Sequence, residues 1–544
     1  MEKYVKQLQR ILRILLCAIT LLYLAAVILI QPFYYQTATD YSWIATNKET
    51  FFQNWGFRAA RLFFPFALCY LCTLLANWWL RHGKEKGKLS LFINSILDSL
   101  SLTDKFACLF MIALWLSYYY SHYKHIAVLG KSGWMMGFWQ LFVMAGSYFA
   151  VSRLLSRRFC KYVAGALFTA SFFVFLLGIL NRYGINPLGM ESSGPDFIST
   201  IGNINWYCGY VAVCFPLGAG CFLLWEKSEE HTGRDLLLQA GLGIYTAAGF
   251  VTTVTQGSDS GFLMLAGLFL IGGCLAVQKK ERIGRFLNLL LLCVCMTILL
   301  SLIQHIFPEK NTYPTPIYLF LTETAFPYVA LVLVLLLNVL WQRYRESSFA
   351  LRLIRRLWWG GMFFVGLGFI CIVVLIVLNT RHPGSIGRLS RYALFTFDQS
   401  WGSSRGGTWD MGLRTWLSQD LLHKLVGAGP DCMSSHLYSG KDPALLELAY
   451  ARFGENVRLT NAHNEWITVL VNLGVFGLIG FAGIIISAIV RFFKSHGVHV
   501  LCAACGIAVF CYTLHNIFSF WQVMNVTYIF IVLGVGEGML RKRS

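Results

Sequence analysis

Charge is what this sequence has least of. Only 13% of its 544 residues are Asp, Glu, Lys or Arg, where a soluble domain carries roughly a quarter. A water-soluble fold of this length could not cover its surface with so few. Acids are scarcer still, 26 against 45 basic residues, and those between positions 379 and 465 are scattered. With no complete set of Cys and His at zinc spacing, no metal is implied. Tandem repeats and low-complexity tracts are also missing, which argues against repeat architectures.

What is present is apolar: 56% hydrophobic residues and a mean hydropathy of +0.58. Runs of about 20 apolar residues recur along the chain, the length a helix needs to cross the hydrocarbon core. The expected fold is an all-α polytopic membrane protein of about fourteen transmembrane helices. The spans are 11–30, 59–80, 105–121, 134–151, 162–180, 206–225, 236–255, 260–277, 286–307, 325–341, 358–378, 466–490, 498–518 and 524–540. They group as N-terminal transmembrane helices (1–160), a transmembrane bundle (161–378), a long polar loop (379–465) and C-terminal transmembrane helices (466–544). The first run follows Lys3, Lys6, Arg10 and Arg13 as a signal peptide would, but it is long and ends at Gln31-Pro32 without a small-x-small cleavage site. It reads as a retained helix.

The net charge of +19 is not a nucleic-acid footprint, because the basic residues sit in short clusters between apolar runs. On one side the termini and connectors hold 28 Lys and Arg. The six short connectors of the other side hold six: Lys48, Arg58, Lys124, Lys131, Arg182 and Lys310. This asymmetry predicts a plasma-membrane protein with both termini in the cytoplasm and the 379–465 loop outside. The nine Lys and Arg of that loop are no contradiction, since long loops largely escape the charge rule. Of sixteen cysteines, most, such as Cys17, Cys72, Cys214 and Cys505, lie in apolar runs and act as small hydrophobes. Cys432 is alone in the loop, so no structural disulfide is expected.

The loop reads as a folded element. Trp409, Leu413, Trp416, Leu417 and Leu421 recur at helical spacing and predict an amphipathic helix over 409–421, lying on the membrane surface or against the bundle. Gly427-Ala-Gly-Pro430 stops it. A second helix is expected over 443–453, with Asp442 as N-cap and Pro443 at its first position. The chain then returns to the membrane through Asn461-Ala-His-Asn-Glu-Trp466. Gly474, Gly477 and Gly480 read as a small-residue packing face.

An outer membrane face offers neither ATP nor nucleotide sugars, so glycosyl transfer there needs a donor that arrives activated, such as a polyprenyl diphosphate-linked sugar. Such chemistry wants a cation on the diphosphate and a base for the acceptor hydroxyl. Arg405, just before the amphipathic helix, and His463, one turn before a membrane helix and flanked by Asn461, Asn464 and Glu465, suit these roles. The plainer readings are headgroup contact by Arg405 and Arg414, and a solvated interfacial histidine beside an Asn cap. His515-Asn516, near the outer end of the thirteenth helix, either faces the cavity of His463 or bonds a neighbouring helix. Gly257-Ser-Asp-Ser-Gly261 is not a nucleophile elbow, because serine is not its central residue. Gly427-Ala-Gly429 lacks the third glycine of a dinucleotide site.

Three stretches carry a resemblance. Thr200 to Leu217 (TIGNINWYCGYVAVCFPL) has a G-N-x-N segment opening a helix that ends in Pro-Leu. Arg405 to Pro430 has R-x-x-x-W followed by a G-x-G turn. Ala462 to Gly477 has H-N-x-x-x and a later G-x-x-G. In order and spacing, over about 202–480, these resemble the O-antigen ligase and polymerase superfamily, which includes bacterial O-oligosaccharyltransferases. The resemblance implies a metal-independent, inverting glycosyltransferase without a cofactor. Arg405 would hold the donor diphosphate, and His463 would activate the acceptor hydroxyl or orient the sugar. Arg414, Asn464, Asn203, Asn205, Asp259 and His515 would line the substrate site. Its partners would be a polyprenyl diphosphate-linked glycan, an acceptor on a glycan, lipid or protein, and membrane lipids, with no nucleic acid. One position departs: where the family usually has Ser-Arg between two helices, this chain has Asp259. Either Arg414 or Arg182 then supplies the second cation, or Asp259 is a base or the partner of a cation. A polymerase of lipid-linked repeat units fits the same motifs. A lipid-linked oligosaccharide flippase would need paired halves and deep charges, and a scaffold in an envelope complex would need neither.

Overall fold

The structure is a computed structural model that describes residues 2–33, 41–82, 88–189, 197–225, 233–495 and 499–541. Its first half consists of α1 (Glu2–Phe33), α2 (Tyr41–His82), α3 (Lys88–Ser99), α4 (Leu102–Tyr120), α5 (Lys124–Leu129), α6 (Phe138–Leu154) and α7 (Arg157–Arg182). A two-residue pairing of β1 (Phe197–Ile198) with β2 (Gly202–Asn203) precedes α8 (Ile204–Leu224), α9 (Gly233–Gln256), α10 (Asp259–Ala276) and α11 (Lys280–Ile306). Then come α12 (Pro316–Glu323), α13 (Phe326–Tyr344) and α14 (Ser348–Arg381). The long loop folds into α15 (Trp401–Leu417), α16 (Leu421–Val426), α17 (Met433–Leu437) and α18 (Pro443–Phe453), and α19 (Glu465–Lys494), α20 (Val500–His515) and α21 (Val523–Leu540) close the chain.

The protein is therefore an all-helical, multi-pass membrane protein. Among the described residues, eleven helices are long and apolar enough to cross a bilayer, or twelve if α3 and α4, bent by 109° at their junction, count as one span. Each of the fourteen expected spans falls on a helix. Those outside the eleven are α4, α6 with 17 residues and α20 with 16. The α3–α4 bend is fixed by a capping box: the Ser101 hydroxyl accepts from the Asp104 amide while the Asp104 carboxylate accepts from that of Ser101.

Burial grades across the bundle. α8 and α21 are apolar all round and buried almost whole, as central helices are. α14 lies at the other extreme, with Asn379 as its only buried residue. Close approach depends on small residues: a Cβ on Gly480 of α19 would sit 2.8 Å from backbone atoms of Phe110 in α4. Two buried acids of the bundle are paired with arginines. Fully buried Asp104 accepts from Arg153 and Arg541, at 2.8 and 2.6 Å, and from the Tyr148 hydroxyl, while Glu537 bonds Arg491.

Gly474 is not simply part of a packing face. It breaks α19, with φ +68° and ψ −170°, and so frees carbonyls of the preceding turn. The loop fills them: the amides of Ala428 and Gly429 donate to Val471 and Asn472, each at 3.0 Å, and Gln419 Nε2 also donates to Val471. A Cβ on Gly427 would lie 2.1 Å from the Asn472 carbonyl oxygen, and one on Gly474 would lie 2.3 Å from that of Leu425. The Gly427-Ala-Gly-Pro430 turn is a splice into a membrane helix.

Within the loop, the expected helix over 409–421 is two. α15 ends at Leu417, and Asp420 then caps α16 through the His423 amide. Leu413, Leu417 and Leu421 are exposed, as a lipid-facing stripe requires. α18 begins where expected, with the Asp442 carboxylate accepting from the Leu445 amide and Pro443 in the first turn. All sixteen cysteines are free, and Cys432 is buried.

Candidate functional site

The candidate site lies at the end of the bundle that carries the long loop. Two abrupt backbone features place its principal groups. Gly402, Ser403 and Ser404 adopt left-handed dihedrals, φ 58°, 57° and 67°, at the start of α15. This turns the chain just before Arg405. His463 is itself left-handed, φ 49°, in a turn closed by its amide donating to Asn461 Oδ1 at 2.9 Å. Two such stretches in non-glycine residues are costly and cluster where geometry matters.

Arg405 lies within electrostatic reach of both His463 and Asp259, the latter at the first turn of α10. Arg405 is largely enclosed. Burial lowers its guanidinium pKa, and the Asp259 carboxylate offsets part of that loss. Among the described residues the Arg405 guanidinium makes no hydrogen bond or ion pair, so its donors stay available. Burial, and next the Arg405 cation, push the His463 imidazole down to about 3. The ring is neutral over the physiological range, and its Nδ1 is enclosed without a hydrogen-bond partner.

Aromatic rings surround this pair. The Trp409 indole donates to the His463 carbonyl at 3.4 Å, and its ring stands 5.5 Å from Trp401 and 5.3 Å from Phe518. On the other flank the His463 ring packs edge-on against Phe520 at 4.9 Å, and Phe520 against Trp134 at 4.8 Å. Such a wall offers flat apolar faces beside a cation and an imidazole, the composition of a site for an amphiphilic ligand.

The remaining predicted residues divide. Asn464 caps α19 by accepting from the Ile467 amide at 3.1 Å and donates to the Ile517 carbonyl at 3.0 Å, so its role is to hold the His463 turn. Asn203 caps α8 by accepting from the Asn205 amide at 2.8 Å. His515 is fully buried near the Ser260 backbone, beside the turn carrying Asp259, and neither of its ring nitrogens has a hydrogen-bond partner among the described residues. The structure does not bring Arg414 into the group, because its guanidinium is half exposed and held by Asp410 at 2.9 Å, which also binds Arg452. Arg182, the other candidate second cation, donates to the Gln256 carbonyl and stacks over Tyr313 at 5.2 Å, next to the Asp259 turn.

Two acids were missed as site elements. Glu465 is buried behind His463, accepting from the Tyr512 hydroxyl at 2.9 Å and from Asn516 Nδ2. Its signal was a carboxylate at the mouth of an apolar span, where burial is costly without partners. Asp431, with φ +59°, accepts from the amides of Lys131 and Met136 at 2.7 and 3.3 Å. It thereby pins the turn that presents Trp134. Burial pushes its carboxyl up to about 7. Nothing in its sequence neighbourhood signalled this.

No protein-family model matches the chain, and no curated protein matches it. Among the described residues no group of three or more His, Cys, Asp or Glu could hold a metal ion.

Proposed function

We propose that this protein is a membrane glycosyltransferase of O-antigen ligase type. In this reading all fourteen spans cross the plasma membrane, both termini are cytoplasmic, and the loop end is extracytoplasmic, as the distribution of Lys and Arg favours. The donor is a polyprenyl diphosphate-linked glycan, and the acceptor is a hydroxyl on a glycan, lipid or protein. A polymerase differs only in its acceptor, which would be another lipid-linked unit.

The observation that carries the proposal is that Arg405 stands within electrostatic reach of His463 and of Asp259, which come from two other stretches of chain. In the proposed reaction the acceptor oxygen attacks the anomeric carbon from the face opposite the diphosphate. The carbon–oxygen bond to the diphosphate breaks, and its electron pair leaves with the polyprenyl diphosphate. The hydroxyl proton passes to His463. Arg405 takes the charge developing on the leaving group through its planar fork. An anionic donor on Arg405 offsets the smaller, coulombic part of the depression of His463, burial being the larger cause, so the base gains some strength once the donor is seated. Single displacement inverts the configuration.

The test is transfer in vitro from a polyprenyl diphosphate glycan by purified protein. Arg405→Ala and His463→Ala are expected to reach the membrane and to lose transfer. Full transfer by either variant, or failed glycolipid movement across the bilayer with transfer intact, would refute it.

A further inference from the structure

At the opposite end of the bundle, where both termini lie, α1, α2, α3 and α6 enclose a half-open cavity of about 1360 Å³. Its walls are apolar, with Leu16, Ala67, Phe142 and Gly146 among them. Its floor is ionic. Arg153, Arg491 and Arg541 line it, tied to fully buried Asp104 and Glu537, and Arg13 lines its rim. Asp98 is the remaining acid of the lining, exposed on α3. Four arginines thus face three carboxylates, leaving the charged end net positive.

The dimensions are those of one lipid leaflet. From Arg13 to Tyr23, both lining the cavity on α1, the ten-residue rise is about 15 Å, half of a hydrocarbon core of roughly 30 Å. A water-filled site would not have walls of Leu, Phe and Ala, and a neutral apolar ligand would gain nothing from the arginines. We infer that this cavity binds an anionic glycerophospholipid from the leaflet on the terminus side, its chains between α2 and α6 and its phosphate toward Arg13, Arg153 and Arg541. The inference is independent of the glycosyl-transfer reading.

A Cβ built on Gly146 meets no atom within 4 Å and Gly146 lines the cavity, so Gly146→Phe is the variant chosen to fill it. Arg13 is exposed and outside the buried ion network, so Arg13→Gln leaves the fold unstrained. The experiment is native mass spectrometry of purified protein titrated with phosphatidylglycerol or phosphatidylcholine. Wild type should retain phosphatidylglycerol in preference to phosphatidylcholine. Gly146→Phe should abolish that retention while its thermal midpoint holds. Arg13→Gln should lower the preference about fivefold, the worth of one interfacial cation. Equal retention of the two lipids by wild type, or undiminished phosphatidylglycerol on a folded Gly146→Phe, would overturn the inference. If Gly146→Phe fails to fold, an unchanged preference in Arg13→Gln overturns it.

Discussion

Asp259, at the start of α10, is the carboxylate whose charge offsets the enclosed guanidinium of Arg405 in the long loop. A diphosphate approaching Arg405 competes with that carboxylate. Asp259→Asn is therefore expected to lower the donor KM several-fold with little change in kcat, read from steady-state transfer kinetics. A fall in kcat of about 10²-fold or more would instead make Asp259 the base.

The pH dependence follows from His463, held at about 3 by burial and then by Arg405. In kcat/KM, which reports the free enzyme, His463 contributes no acid limb above about pH 4. In kcat the limb moves to higher pH, because the bound diphosphate offsets Arg405. For stability, the folded pKa lies below the unfolded value near 6.5, so the unfolded chain binds more protons between the two. The contribution of the neutral ring is whole above about pH 6.5 and is lost as pH falls toward about 3. His463→Gln should flatten that slope in thermal midpoints.

Asp431 has the opposite sign. Its carboxyl stands at about 7 in the folded protein, above its unfolded value near 3.9. Its contribution is full below about pH 4 and is lost as pH rises through about 7. Asp431→Asn keeps an acceptor for the Lys131 and Met136 amides. The variant should gain thermal stability over wild type between pH 5 and 8. Parallel midpoint curves would show that the carboxylate is not buried at a cost.

Removing Glu465 orphans the Tyr512 hydroxyl and the Asn516 amide. Each unsatisfied group costs about 1–3 kcal/mol, so Glu465→Ala should unfold at lower temperature than Glu465→Gln, which still accepts from Tyr512. Equal midpoints would remove the buried network from the stability of the site.

Gly427→Ala and Gly474→Ala each add a Cβ to a left-handed residue against backbone atoms, which cannot yield as a side-chain tip can. Both should prevent recovery of monodisperse protein in fluorescence-detected size exclusion, whereas Gly146→Ala should not.

Much of this was readable in order because membrane helices announce themselves by length and apolarity, and caps by local chemistry. Asp442-Pro443 starts α18 as expected, and Asn464 caps α19. Arg405 and His463 were legible as a pair of chemical types, and the fold places them together. What stayed hidden depends on distant partners. The break at Gly474 looks like any glycine in a small-residue run until the loop amides that satisfy it are known. Arg414 resembled a site cation by position, but Asp410, four residues earlier on the same helix, engages it. Asp431 acquires its role from the 130–137 turn, some three hundred residues away in sequence.

The splice between the Ala428 and Gly429 amides and the opened turn of α19 sets where this protein could be cut and rejoined. Exchanging the loop at the start of α19 would leave the buried Val471 and Asn472 carbonyls without their loop donors. A transferable cassette has to run on through Gly474, so its natural seam lies inside the membrane.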